Sequence, residues 1–179
     1  MAATGETPSE PQLEPTDDQT PPAIELPEAL RAELDLLVRK YPDRRAALIP
    51  ALHRCQEELG GWISPRTMEA CAAYFGLEPV DVYGVVSFYP MFRLRPPGEH
   101  VVGVCRNLSC DLRGAPEIVA KVCEITGAPA GGTSPDGRFS VELLECQGAC
   151  ASAPMLDLDG IYHENLSEED VERILGGLA

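Results

Sequence analysis

Apolar residues recur at the three- and four-residue spacing of helices through the first half of the chain, beginning at Leu26. The first predicted helix ends at Tyr41-Pro42, because a proline disfavours helical backbone in the residue before it. A second helix is predicted from Asp43 to Leu59, with Gly60-Gly61 as its end. The pattern therefore predicts two helices joined by a short turn.

Two further helices are predicted before the pattern changes. Ser64 and Pro65 provide an N-cap and a first-turn proline for a third helix, which ends at Gly76. Pro79 begins a shorter fourth helix. Short loops between consecutive helices are typical of antiparallel packing, so we predict a helical module over residues 23–95.

Strand-like apolar runs characterise the second half of the chain, after the turn-rich segment Arg95-Pro96-Pro97-Gly98. HVVGVC and FSVELLEC are predicted strands, and LRGAPEIVAKVCEITG between them is a predicted helix. PMLDLDG and IYHEN form a predicted hairpin around Asp159-Gly160, and Ser167 begins a last helix in a capping box with Asp170. This order predicts a small α/β sandwich over residues 96–179, and an α+β fold for the whole chain with the helical bundle first.

The start of the chain has a different composition from the rest. Residues 1–22 are rich in Pro, Thr, Glu and Asp, and such a segment buries too little apolar surface to offset the entropy of ordering it. We predict a disordered, acidic tail. It has neither the apolar core of a secretory signal nor the arginines of a mitochondrial presequence, so we expect a protein of the bacterial cytoplasm.

The charge and hydropathy of the chain argue against nucleic-acid binding and against membrane insertion. A formal net charge of −15 is opposite to the basic surface that nucleic-acid binding requires, so we expect no nucleic-acid partner. The apolar runs are far shorter than the roughly 20 residues that cross a bilayer. We therefore expect no direct membrane insertion, and any association with a membrane would come through other subunits.

Four of the seven cysteines form two spaced pairs, each after a predicted strand. Cys105 and Cys110 form a C-x4-C pair, and Cys146 and Cys150 form a C-x3-C pair. Loops at the carboxyl ends of strands gather at one edge of an α/β layer, so we expect the four thiolates to converge. In a reducing compartment such pairs are more typical of metal or redox sites than of structural disulfides.

Zinc and an iron–sulfur cluster are both candidates for a site with four thiolates. Structural zinc favours closely spaced cysteines around one ion, whereas a 2Fe-2S cluster has two irons, so the wider spacing here favours iron and sulfide. The small residues of ECQGACASAPM would let backbone N–H groups approach the sulfurs. Arg106 or Arg113 would offset part of the negative charge of the cluster.

The remaining cysteines and the histidines do not indicate catalysis. Cys55, Cys71 and Cys123 lie on apolar faces of predicted helices, where we expect them to be packing residues. The three histidines are far apart in sequence, and none has an acidic residue at a recognisable catalytic spacing. We expect no catalytic residue in this chain.

The sequence around the cysteines resembles a known family. Its segments LIPALHRCQEELGGWIS, VYGVVSFYPMFRLRPPGEHVVGVC and ECQGACASAPM, and the C-x4-C pair running into LRGA, are similar to thioredoxin-like 2Fe-2S ferredoxins. These ferredoxins form the E-type subunit of NADH:quinone oxidoreductase, respiratory complex I. The resemblance spans Leu26 to the C-terminus. Ser152 and Leu156 depart from the residues that are common in the family, Asn and Gln, but neither departure removes a cysteine.

The resemblance implies that Cys105, Cys110, Cys146 and Cys150 bind one 2Fe-2S cluster in a thioredoxin-like domain over residues 96–179. It also implies that the helical module packs on a flavoprotein subunit, which binds FMN and NADH in the hydrophilic arm of a multisubunit complex. That complex would lie on the cytoplasmic side of the bacterial inner membrane.

No G-x-G-x-x-G segment follows a strand, which agrees with nucleotide binding on another subunit, so the isolated chain is expected to have no activity. Two alternatives stay open at this point. One is the equivalent diaphorase subunit of an NAD-linked hydrogenase or formate dehydrogenase, and the other is a zinc-stabilised adaptor without a redox role.

Overall fold

The structure, a computed structural model, describes residues 25–178. The predicted tail over residues 1–22 lies outside the described residues. Helices occupy the first part of the described chain, and a four-stranded sheet with further helices follows. The predicted α+β fold class is confirmed. None of the helices in residues 25–178 is both long enough and apolar enough to span a membrane.

Four helices form the first part of the molecule. They are α1 (Glu28–Val38), α2 (Leu48–Glu58), α3 (Pro65–Phe75) and α4 (Pro79–Phe88). Helix α3 begins and ends as the sequence predicts, because the Ser64 hydroxyl accepts a hydrogen bond from the backbone N–H of Thr67 and Gly76 adopts the left-handed conformation at the other end.

The second predicted helix is shorter than expected. A 3-10 turn covers Arg44–Ala47, and α2 begins only at Leu48. Asp43 caps this 3-10 turn, since its carboxylate accepts a hydrogen bond from the backbone N–H of Arg45. The sequence pattern did not separate the two, because a 3-10 turn and the first turn of an α-helix have similar apolar spacing.

The sheet contains β1 (His100–Cys105), β2 (Phe139–Leu144), β3 (Leu156–Leu158) and β4 (Ile161–His163) in the order β2-β1-β3-β4. Strands β1 and β2 are parallel, and the other neighbours are antiparallel. A parallel pair needs a crossover connection, which here contains α5 (Leu108–Asp111) and α6 (Ala115–Thr126). A last helix, α7 (Glu168–Leu175), completes this part.

The helix that was predicted from Leu112 begins three residues later in the structure, and the short helix α5 before it was not predicted. Gly114 adopts φ 99°, a left-handed conformation that suits glycine, and α6 begins at the next residue. Helix α7 begins as predicted, in a capping box between Ser167 and Asp170. Hydrogen bonds from the Arg173 guanidinium and then from Ser167 lower the pKa of Asp170 to about 2.

Two separate apolar clusters stabilise the two parts. One lies among α1 to α4 and includes the fully buried side chains of Leu34, Leu52 and Ile63. The other lies between the sheet and helices α6 and α7, with Val102 and Leu156 at its centre. Each fully buried Leu or Ile contributes about 1.5–3 kcal/mol of hydrophobic free energy. The domain boundary between residues 95 and 96 stays a prediction.

Polar contacts join the two parts. The buried side chain of Gln56 donates to the carbonyl of Met91 and accepts from the backbone N–H of Arg93. The Arg93 guanidinium makes two hydrogen bonds to the Glu142 carboxylate in β2, at 2.6 and 3.2 Å. Both side chains are half-buried, so this bidentate pair connects the segment after α4 to the sheet.

Backbone of residues 131–134 covers part of the outer edge of β2. The N–H of Gly131 bonds to the carbonyl of Val141, and the N–H of Val141 bonds to the carbonyl of Gly132. On the same strand, the N–H of Gly98 donates to the Ser140 hydroxyl at 2.7 Å. A Cβ atom at Gly98 would lie 2.8 Å from the carbonyl carbon of Phe139, so only glycine fits there.

Candidate metal centre

The first cysteine pair lies on two different elements. Cys105 is the last residue of β1, and Cys110 lies in the one-turn helix α5 that follows. Both positions differ slightly from the loop that the sequence predicted. Asn107 begins α5 because its side-chain oxygen accepts a hydrogen bond from the backbone N–H of Leu108 at 3.1 Å. The helical turn brings Cys110 back towards Cys105.

The second cysteine pair lies in the loop after β2. Cys146 is in irregular backbone, and Cys150 begins a short 3-10 turn over Cys150–Ser152. Their Sγ atoms are 3.5 Å apart. Gly148 between them adopts φ 80°, a conformation that side chains rarely tolerate, so the tight loop depends on this glycine.

The sheet brings the two pairs to the same edge. Strands β1 and β2 are parallel with Cys105 opposite Leu144, so the segments that carry both pairs leave the sheet at the same end. Cys105 and Cys110 pack in a small cluster with Ala153 and Met155, against which Ala149 also packs. The two loops therefore lie at the same end of the sheet, and convergence of all four thiolates stays a prediction.

The two pairs differ in exposure and in acidity. Cys105 and Cys110 are each 2% exposed, whereas Cys146 and Cys150 are exposed. Burial, together with the adjacent Cys105 thiol, raises the pKa of Cys110, and a hydrogen bond from the backbone of Met155 opposes part of this effect.

The pKa of Cys146 is shifted the other way. A hydrogen bond from the Gly148 backbone N–H lowers the pKa of Cys146, and the Cys150 thiol lowers it further. Such donors stabilise a thiolate, which is the form that binds metal. Gly148 thus supplies a backbone N–H to a cysteine sulfur, which is the role expected of the small residues in this loop.

The cysteines group as two pairs and not as one tetrahedral set. In residues 25–178, no three Cys, His, Asp or Glu side chains converge as ligands of a single ion would. A 2Fe-2S cluster takes two thiolates on each of its two irons, so two adjacent pairs at one sheet edge fit such a cluster. The chemistry of the donors fits as well, since all four are thiols and backbone N–H groups bond to the sulfurs of Cys110 and Cys146.

Charged and polar side chains next to the cysteines form hydrogen bonds between the two loops. The Glu145 carboxylate accepts from Arg106 at 2.9 Å and from the Asn107 side chain at 3.1 Å. Arg106 was expected to offset cluster charge, but in the structure its own charge is paired with Glu145. The sequence interpretation missed Glu145 and Asn107, although each lies within two residues of a cysteine.

The other cysteines take the packing positions that were predicted for them. Cys55 and Cys71 are fully buried between α2 and α3, with their Sγ atoms 3.5 Å apart. Cys123 is partly buried on α6, and burial raises its pKa. His100 pairs with Asp159 at 2.7 Å, an acidic partner too distant in sequence to be recognised beforehand.

Comparison with known proteins agrees with this geometry. Residues 34–179 match the model of the family described as thioredoxin-like [2Fe-2S] ferredoxin. NADH-quinone oxidoreductase subunit 2 of Thermus thermophilus is 42% identical over 142 residues, which cover 78% of each chain. The E 2 subunit of the NADH-quinone oxidoreductase of Rhizobium meliloti is 36% identical over 146 residues, covering 82% of this chain and 86% of the relative.

A solved structure shares the fold. The crystal structure of an NAD+-reducing [NiFe]-hydrogenase in the H2-reduced state aligns with a TM-score of 0.64 at 20% sequence identity. The alignment covers 73% of this chain and 22% of the hydrogenase chain, so it shows similarity of fold alone. With the family model matching most of the chain, these comparisons show that the protein belongs to the thioredoxin-like [2Fe-2S] ferredoxin family.

Proposed function

We propose that this chain is the electron-transfer subunit of an NADH dehydrogenase module and binds one 2Fe-2S cluster through Cys105, Cys110, Cys146 and Cys150. The observation that carries the proposal is the arrangement of both cysteine pairs at one end of the parallel strands β1 and β2, in a chain of this ferredoxin family. When bound, such a cluster supplies one-electron transfer.

In this proposal the two cysteine pairs bind the cluster from a buried side and an exposed side. Cys105 and Cys110 are almost fully buried, so water is excluded from their side of the site. Cys146 and Cys150 bind the cluster on the solvent-exposed side, where a redox partner can approach it. Backbone N–H groups of Gly148 and Met155 stabilise negative charge on the sulfurs without adding a positive side chain.

The electron donor in this proposal lies on another subunit. NADH delivers two electrons as hydride, so a flavin has to stand between NADH and a one-electron centre. We place NADH and FMN on a partner flavoprotein, and assign the assembly as NADH:quinone oxidoreductase. Support comes from the two relatives named as subunits of that enzyme, at 36% and 42% identity. The complex would hold the chain on the cytoplasmic side of the bacterial inner membrane.

A second candidate is the matching diaphorase subunit of an NAD-linked hydrogenase or formate dehydrogenase. The fold shared with the NAD+-reducing hydrogenase favours it, but at 20% identity, well below that of the quinone oxidoreductase relatives. The neighbouring genes distinguish the two, because a hydrogenase or formate dehydrogenase catalytic subunit beside this gene would support the second candidate.

The cluster assignment is tested by electron paramagnetic resonance of anaerobically purified protein reduced with dithionite. We expect about two iron atoms per chain and a rhombic or near-axial signal. Cys105→Ala and Cys150→Ala should abolish the signal, because each removes a ligand, and Cys123→Ala should keep it. The purified chain alone should not oxidise NADH.

Three results would contradict the assignment. A colourless protein that holds stoichiometric zinc after anaerobic purification would support the adaptor alternative instead. Loss of the signal in Cys123→Ala would overturn the choice of ligands. NADH oxidation by the single chain would show that the flavin is not on a partner.

A further inference from the structure

A single carboxylate connects the two loops that carry the cysteines. Glu145 immediately precedes Cys146, and its two oxygen atoms bond to residues that follow Cys105. One oxygen accepts from the Arg106 guanidinium at 2.9 Å, and the other accepts from the Asn107 amide nitrogen at 3.1 Å. The contact therefore joins the segment after β1 to the segment after β2.

Asn107 continues this connection to the first cysteine pair. Its amide nitrogen donates to Glu145, so its amide oxygen faces the other way and accepts from the backbone N–H of Leu108 at 3.1 Å. That second bond begins α5, the helix that contains Cys110. Glu145 thus fixes the orientation of the Asn107 amide, and the amide fixes the start of the helix.

The loop after β2 is held on its other side too. The Gln147 side chain donates to the carbonyl of Glu145 at 3.0 Å and accepts from the Tyr162 hydroxyl at 3.0 Å. Tyr162 belongs to β4, so the residues on both sides of Cys146 are connected to neighbouring elements. The side chain of Glu145 is the part of this network that reaches the first cysteine pair.

Folding stability does not explain this arrangement. The side chains of Arg106 and Glu145 are each 58% exposed, and ion pairs at that exposure contribute little to the free energy of folding. Their position beside both cysteine pairs is what distinguishes them. Side chains that orient the ligands of a metal site affect its metal affinity even when they never touch the metal.

We propose that Glu145 and Asn107 are positioning residues that set the spacing and orientation of the two cysteine pairs around the cluster. This inference rests on the proposed function, since it presumes that the four cysteines bind one cluster. Glu145 acts on the loop of Cys146, and Asn107 acts on Cys110 through the start of α5.

Two substitutions separate this role from helix capping. Asn107→Asp keeps an oxygen for the N–H of Leu108 but loses the donor to Glu145 and adds a repelling charge. Glu145→Gln keeps the shape of the side chain but loses the charge and one acceptor. In the double variant, the introduced amide can donate to the introduced carboxylate, so the bond between the loops is restored with its direction reversed.

The experiment uses the cluster-loaded full chain and measures iron release to a ferrous-iron chelator, together with the g-values of the reduced cluster. We expect Asn107→Asp to release iron about tenfold faster or more, with shifted g-values, and the double variant to recover towards the unsubstituted chain. Glu145→Gln should have the same effect but a smaller one, because its amide oxygen can still accept from Asn107. Glu124→Gln is the matched control. It removes a carboxylate that pairs with Lys121 on α6, and it should change neither measurement.

Each outcome decides the proposal. Unchanged release and unchanged g-values in both single variants would overturn it. Equal defects in the single and double variants would overturn it too, because the bond between the loops would then not be the cause. If Asn107→Asp does not fold, Asn107→Ser replaces it, since a serine hydroxyl also caps a helix but is too short to reach Glu145. An unsubstituted chain without a cluster signal would refute the proposed function.

Discussion

Two pairs of cysteines in this molecule have the same Sγ–Sγ distance, but one pair is buried and the other is exposed. The Sγ atoms of Cys55 and Cys71 are 3.5 Å apart, as are those of Cys146 and Cys150. The first pair is completely buried between two helices, whereas the second lies in an exposed loop. The Sγ–Sγ distance alone therefore does not distinguish the proposed cluster ligands from packing cysteines.

The surroundings of each sulfur distinguish the two pairs. The bond to Cys55 and burial raise the pKa of Cys71 far above its usual range, so this thiol stays protonated. The backbone N–H of Gly148 instead lowers the pKa of Cys146. A protonated thiol in an apolar core behaves as a small hydrophobic side chain, and a stabilised, accessible thiolate behaves as a ligand.

Thiol labelling of the reduced, metal-free chain should show the largest difference between the pairs. We expect iodoacetamide to modify Cys71 on the order of a thousand times more slowly than Cys146, because Cys71 becomes accessible only when the helical core opens. Mass spectrometry of labelled peptides over time measures both rates. Similar rates at the two positions would show that the helical core is open in solution, and the comparison would fail.

Removal of each sulfur should affect stability unequally. Cys71→Ala leaves a cavity between α2 and α3 and should lower the free energy of unfolding by about 1–2 kcal/mol. Cys146→Ala in the metal-free chain should change it by less than about 0.5 kcal/mol, because the side chain is exposed. Urea unfolding followed by far-ultraviolet circular dichroism measures both. An equal loss in the two variants would mean that the loop of Cys146 contributes to the core.

The pH dependence of labelling should show a smaller difference, between Cys146 and Cys110. Alkylation follows the thiolate, so its rate rises with pH through the pKa of each thiol. The pKa of Cys146 is lowered and that of Cys110 is raised, so the midpoint for Cys146 should lie below the ordinary value of 9.0 and that for Cys110 above it. Coincident midpoints would show that neither the Gly148 N–H nor burial acts as described.

Short patterns in the sequence were enough to predict most of the helices and strands. Caps and glycines predicted the bounds of α3 and the start of α7, and apolar runs predicted β1 and β2. Where the backbone makes one tight turn before or after a longer helix, the apolar spacing is continuous. For that reason the 3-10 turn before α2 was missed, and α6 was predicted to begin at Leu112 instead of Ala115.

The position of both cysteine pairs at one end of the sheet was predictable, and the contacts between their loops were not. Two spaced pairs after strands indicate a four-thiolate site, because parallel strands end at a common edge. The bonds from Glu145 to Arg106 and Asn107 join residues 39 and 38 positions apart. Nothing in a single sequence links such positions, since the register of β1 against β2 is what places them together.

The covered edge of β2 has a consequence for aggregation. Strands at the edge of a sheet offer unpaired N–H and C=O groups to other chains. Here the backbone of Gly131 and Gly132 occupies those groups at Val141. The opposite edge strand, β4, has only three residues. One sheet edge is thus partly covered and the other is short, and both features limit edge-to-edge association between newly made copies of the chain.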